Sequence, residues 1–232
     1  MRNSRSSGAA LSSQETVAGF TYLACEIFFL PAMLTFFNGT LAHPLSEAEV
    51  NFVFFFINFM AVLLIFHSFL GKSMGQVGQH PAYFCQAVIL GYVAYQACAW
   101  VISWVITQLV PGFHNYNDAA IAALGSGNFF LTAIGTVVLV PPAEECFYRG
   151  LIFRNLYPKS RWAAYVVSIL AFTLIHIVGY LGVYSPLELL MASLQYLPAG
   201  LCLAWAYIKS DTIFAPILIH AAINFTSIYA LR

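Results

Sequence analysis

Seven long apolar runs partition this chain, at about 16–38, 50–70, 83–110, 124–148, 162–183, 187–207 and 212–231. Each is close to or above the ~20 residues a helix needs to cross a hydrocarbon layer. Of the 232 residues, 61% are hydrophobic and 8% charged, against roughly a quarter charged in a soluble domain. Too few polar groups are present to cover a globule in water. The expected fold is all-α, a polytopic membrane helical bundle of seven transmembrane helices. Pro141 and Pro142 interrupt the fourth run. They allow it to be two shorter helices, and hence an eighth crossing or a re-entrant piece.

Basic residues orient the bundle. Arg2, Arg5, Lys72, Arg149, Arg154, Lys159, Arg161 and Lys209 all fall on one side of a seven-span chain, and Arg232 on the other. The positive-inside rule puts the N-terminus in the cytoplasm and the C-terminus outside, in a multi-pass protein of the cell membrane. Residues 1–15 read as a mobile cytoplasmic tail. Residues 16–110 form a three-span N-terminal membrane region, and 111–232 a second unit. No cleavage pattern follows the first apolar run, which reads as an anchor rather than a signal peptide. No feature points to nucleic acid.

Glu144 and Glu145 sit inside this oily background, with Arg149 four residues after the second. Acids at membrane depth are expensive and mark cavities and function. On a helix Glu145 and Arg149 share a face, while Glu144 is turned away by about 100°. Arg149 can therefore hold Glu145, leaving Glu144 free to take a proton from water. A helix beginning near Pro142 would set both acids near its positive end. The alternative is a structural salt-bridge cluster at a helix end.

Two later runs carry one histidine each. Phe172 and His176 are four apart, as are His220 and Asn224, so each pair shares a helical face. Imidazole and amide groups can steady a water or donate to an oxyanion. They also serve as polar glue between helices. Both readings stay open for each pair taken alone.

In order, the three pieces resemble a known pattern. Glu144-Glu145-Cys146-Phe147-Tyr148-Arg149, Phe172-Thr173-Leu174-Ile175-His176 and His220-Ala221-Ala222-Ile223-Asn224 fit EExxxR, FxxxH and HxxxN/D. The chain thus resembles the CAAX-protease and bacteriocin-processing (Abi) family of intramembrane proteases over roughly residues 120–230, and reads as a prokaryotic member. The resemblance implies an intramembrane endopeptidase core within 111–232, its cavity opening toward the cytoplasm. It implies that Glu144 activates water with His176, that His220 and Asn224 stabilise the oxyanion, and that Glu145 and Arg149 shape and charge-balance the site. The substrate would be a peptide or a membrane-protein tail. A non-catalytic immunity or scaffold protein on the same fold, and a transporter, are the competing classes.

A metal-free glutamate mechanism is the expected chemistry, with no cofactor. If zinc is used instead, Glu144, His176 and His220 would be its ligands. The five cysteines lie in apolar runs without a CxxC pair, which argues against a thiolate site. Cys146 is read as a small core hydrophobe rather than a nucleophile. Glu26, inside the first run, needs a polar partner or a proton. Depth is the least easily met condition. With Arg149 at the membrane edge, Glu144 lies about 7 Å inside, His220 about 12 Å past the Lys209–Asp211 turn, and His176 about 22 Å from Arg161. The fifth helix must tilt or enter late for His176 to join the others.

Overall fold

The computed structural model describes residues 9–230, which are helical apart from turns and an isolated bridge between Leu181 and Tyr184. The elements are α1 (Ser13–Phe28), α2 (Leu30–Thr40), α3 (Glu47–Ile65), α4 (His67–Gln79), α5 (Pro81–Leu109) and α6 (Tyr116–Ile134). A π-helical stretch, Gly135–Leu139, leads into α7 (Val140–Glu145), and a second, Cys146–Phe153, into α8 (Arg154–Leu156). α9 (Arg161–Ile177), α10 (Pro186–Ser210) and α11 (Phe214–Ala230) complete the bundle. Local signals start several of these. Ser12 with Glu15, Ser46 with Glu49 and Ser185 with Glu188 each form a reciprocal capping box that satisfies amides otherwise left free at a helix start.

The polytopic helical reading holds, with changes in detail. Five helices are long and apolar enough to cross a membrane, six with α1 and α2 taken as one span bent by 50°. Phe214–Ala230, at 17 residues, is a shorter apolar helix. The second run is not one helix, because α3 and α4 part at Phe66. Residues 1–8 and 231–232 lie outside the described residues, and with them Arg2, Arg5, Arg232 and most of the expected tail. Residues 13–15 of that tail belong to α1. Glu15 reaches across to accept the Phe69 amide at 2.8 Å, in the first turn of α4.

The proline pair does not break the fourth span. Tyr116–Leu156 runs on for 41 residues, about 62 Å if straight and twice a ~30 Å hydrocarbon layer. The interruption is at Asn128, whose backbone (φ −154°, ψ 92°) is not helical. Its Oδ1 accepts the Leu131 amide at 3.2 Å, so it caps the segment that carries the acids. Pro141 and Pro142 are instead absorbed by the π-helical stretch before them, where the Val140 amide bonds to Gly135. The wider turn spares the chain the clash a proline makes with the carbonyl four residues back. Glu144 and Glu145 consequently sit in mid-helix, away from any positive helix end.

Side-chain contacts define the two ends of the bundle. At one end Thr212 donates to the Ser73 carbonyl (2.8 Å), Arg154 lies 3.9 Å from Asp211, and the Lys209 ammonium lies 5.9 Å from the Tyr83 ring centroid. At the other, Asn115 donates to Gln195 (2.7 Å) and the Tyr184 hydroxyl donates to the His114 carbonyl (2.6 Å). Lys72, Arg154, Lys159, Arg161 and Lys209 therefore cluster at the first end. Large apolar side chains such as Leu64, Trp100 and Phe130 are exposed around the sides, as a lipid-facing surface requires. Close packing fixes the helices that frame the site. A Cβ at Gly91 of α5 would come within 2.7 Å of Ile219 on α11, and one at Gly200 of α10 within 3.0 Å of Ile169 on α9.

Candidate active site

The chain brings Glu144, His176, His220 and Asn224 to the wall of one cavity of about 380 Å³. They come from α7, the end of α9 and the middle of α11. Glu144 Oε2 lies 4.0 Å from Nε2 of His176 and 4.0 Å from Nε2 of His220. That oxygen is buried and has no protein hydrogen-bond partner. A water at ordinary hydrogen-bond length from both the carboxylate and an imidazole would subtend about 90°, so the gap suits a shared water.

Both histidines are held by their other nitrogen. His176 Nδ1 is 2.7 Å from the Phe172 carbonyl. A carbonyl can only accept, so Nδ1 carries the hydrogen and Nε2 faces Glu144. His220 Nδ1 is 2.8 Å from Glu145 Oε1, which orients that ring in the same sense. The sequence reading paired Glu145 with Arg149 alone. The structure adds the histidine, and the same oxygen, Oε1, takes Arg149 Nη1 at 3.0 Å.

Arg149 corrects an expectation. It is not a loop charge at the cytoplasmic edge but a fully buried side chain, its guanidinium 4.4 Å from the Phe172 ring centroid. Nη2 donates weakly to the Ala199 and Gly200 carbonyls at 3.4 and 3.5 Å. The helix carrying Arg149 continues to Leu156. Glu144 is thus about 18 Å from that end rather than 7 Å, comparable with the 22 Å of His176 beyond Arg161. The depth mismatch disappears without a special tilt of α9. Ser168 of α9 ties the two elements by donating to the Tyr148 carbonyl at 2.9 Å.

Asn224 meets an unexpected partner. Its Nδ2 donates to the Thr136 carbonyl at 2.8 Å. In the π-helical stretch the Val140 amide is committed to Gly135, and the next amide position is Pro141, which has no hydrogen to give. The Thr136 carbonyl is thereby left over, and Asn224 satisfies it across the helix interface. One N–H of Asn224 remains for the cavity. Cys146 is fully buried in the apolar cluster with Phe147 and Leu151, away from the cavity wall.

Other wall residues were not singled out from the sequence. Asp118, Tyr95, Asn115 and Tyr196 line the cavity as well. No periodic or motif signal marks them. The wall also includes Ser103, Asn117, Ser227 and Ile228, all near the end opposite the basic cluster. The cavity therefore extends from Glu144 away from the lysines and arginines.

With this geometry in view, one comparison bears on the relationship over part of the chain. Residues 126–226 match the family model of the type II CAAX prenyl endopeptidase Rce1-like proteins. The resemblance read from the three motifs is borne out over that stretch. No curated protein and no solved structure matches the chain. The Rce1-like family is a protease family, and its matched segment contains all six residues named from the sequence, Glu144, Glu145, Arg149, His176, His220 and Asn224.

The fit to zinc is poor. Neighbouring ligand atoms around tetrahedral zinc lie about 3.4 Å apart, given bonds of about 2.1 Å. Each histidine nitrogen is 4.0 Å from the Glu144 oxygen, and the described residues contain no group of three or more side chains spaced to hold a metal ion.

Proposed function

We propose that this protein is an intramembrane endopeptidase in which Glu144 takes a proton from water and the resulting hydroxide attacks a peptide carbonyl. The observation that carries this reading is the Glu144 carboxylate facing Nε2 of both His176 and His220 at 4.0 Å across one cavity. His176, held by the Phe172 carbonyl, presents its unprotonated Nε2 to the same water and relays the proton taken up by Glu144 to the leaving amine as the C–N bond breaks. His220 lies between two carboxylates, Glu145 at 2.8 Å and Glu144 at 4.0 Å. Protonated on Nε2, it donates to the oxyanion together with the free N–H of Asn224. Glu145 and Arg149 do not touch substrate. They hold His220 and balance charge. No step calls on a metal ion.

The basic cluster orients the protein with α4, α8 and the α10–α11 turn in the cytoplasm, as the positive-inside rule demands. The N-terminus is then cytoplasmic and the C-terminus outside. The cavity faces away from the cytoplasm, and the substrate is a peptide or membrane-protein tail reached from the outer side.

The test is product mass spectrometry on purified protein in lipid nanodiscs, using a library of apolar peptides. Wild type yields defined fragments, and Glu144→Gln and His176→Ala yield none. Equal fragments from all three would end the peptidase reading.

A further inference from the structure

The cavity holds a second acid that the mechanism does not use. Asp118, in the first turn of α6, lines the same wall as Glu144 and His176. No lysine or arginine among the described residues lines that cavity. Beside Asp118 stand two tyrosines, Tyr95 of α5 and Tyr196 of α10. Tyr196 is fixed on both sides. Its ring lies 4.5 Å from the His176 ring, tilted by 31°, and its hydroxyl accepts from Asn115 at 3.3 Å. Asn115 is itself anchored on Gln195 at 2.7 Å. Asp118 is also close enough for its charge to act on His176, Tyr95 and Tyr196.

A carboxylate with tyrosine side chains near it in one cavity is the chemistry that recognises an ammonium or guanidinium group. The same cavity repels an anion, because Glu144 and Asp118 both contribute negative charge to it. We propose that Asp118, Tyr95 and Tyr196 form a subsite for a lysine or arginine side chain of the substrate peptide, next to the bond that the Glu144-activated water attacks. The inference rests on the peptidase reading and narrows its substrate to a peptide with a cationic residue close to the scissile bond. Asp118 selects substrate and takes no part in the bond-breaking step.

The test is binding of labelled peptides to the full-length Glu144→Gln protein in nanodiscs, where no turnover occurs. The peptides share one apolar sequence, with acetylated and amidated ends. Lys, Gln or Glu is moved through it one position at a time. At one position the Lys peptide binds about tenfold more tightly than the Gln peptide, and the Glu peptide more weakly than either. Asp118→Asn brings the Lys/Gln ratio to near one, Asp118→Glu keeps it, and Asp118→Lys reverses it in favour of Glu. A ratio unchanged in Asp118→Asn, equal weakening of the Lys and Gln peptides, or no Lys preference at any position overturns the subsite. A Gln peptide with a free amino terminus that matches the Lys peptide overturns the side-chain assignment in favour of the terminal amine. Lys selectivity in binding, with no cleavage by wild type, supports the subsite and counts against the peptidase reading alone.

Discussion

One oxygen of Glu145, Oε1, receives both His220 Nδ1 at 2.8 Å and Arg149 Nη1 at 3.0 Å. The acid and the arginine are fully buried. A single carboxylate thus couples the ring that faces the cavity to the charge that compensates it, and neither contact can be altered alone.

Glu145→Gln removes the charge but keeps the shape. Arg149 is then buried without its counter-ion, and the loss of one partner of such a pair costs about 3–5 kcal/mol. Thermal unfolding in detergent reads this as a large destabilisation, most of it recovered in the double variant Glu145→Gln/Arg149→Met. A single variant as stable as wild type would refute the coupling.

Glu144→Gln behaves in the opposite way. Oε2 of Glu144 has no protein hydrogen-bond partner, so the variant unfolds at the wild-type temperature or above it. Its turnover falls by about 10³ or more, as expected when a general base is lost. Parallel melting and cleavage curves separate the two effects. A destabilised Glu144→Gln protein would make the residue structural.

Chelation leaves cleavage intact. The 4.0 Å separations at Glu144 suit a bridging water and are too wide for tetrahedral zinc. Activity after exhaustive chelator dialysis, with elemental analysis of the same sample, is the measurement. Loss of activity restored by zinc alone would overturn the metal-free mechanism.

Sidedness is open to thiol labelling. In a background with the five cysteines replaced, Asn117→Cys reacts with a membrane-impermeant maleimide in intact cells, and Lys159→Cys reacts only after permeabilisation. The reverse pattern would turn the cavity to the cytoplasm and place the basic cluster outside, against the charge rule.

The helical class and the shared face within each motif were legible from local pattern, whereas the convergence of Glu144, His176, His220 and Asn224 from separate helices was implied only by the family resemblance. Apolar length reports the spans, and a spacing of four reports a shared face. Other features depend on contacts that the primary structure does not encode locally. Arg149 lies next to Gly150 and near Arg154 and looks like a loop charge. Only the packing of α9 and α10 around it makes it a core residue. The prolines draw attention to 141–142, yet the break falls at Asn128, because a π-turn can accommodate a proline while Asn128 supplies a cap. Asp118 and Tyr196 belong to no motif and meet only when α6 and α10 fold together.

Pro141 and Asn224 lie far apart in the chain, yet they answer one another. The proline withholds a hydrogen from the Thr136 carbonyl, and the asparagine supplies it. Substitutions at these two positions should therefore be epistatic. Replacing Pro141 with a residue that bears an amide hydrogen would release the asparagine from its anchoring duty and let its amide swing. Natural variation at one position is accordingly expected to track variation at the other, although neither touches the attacking water.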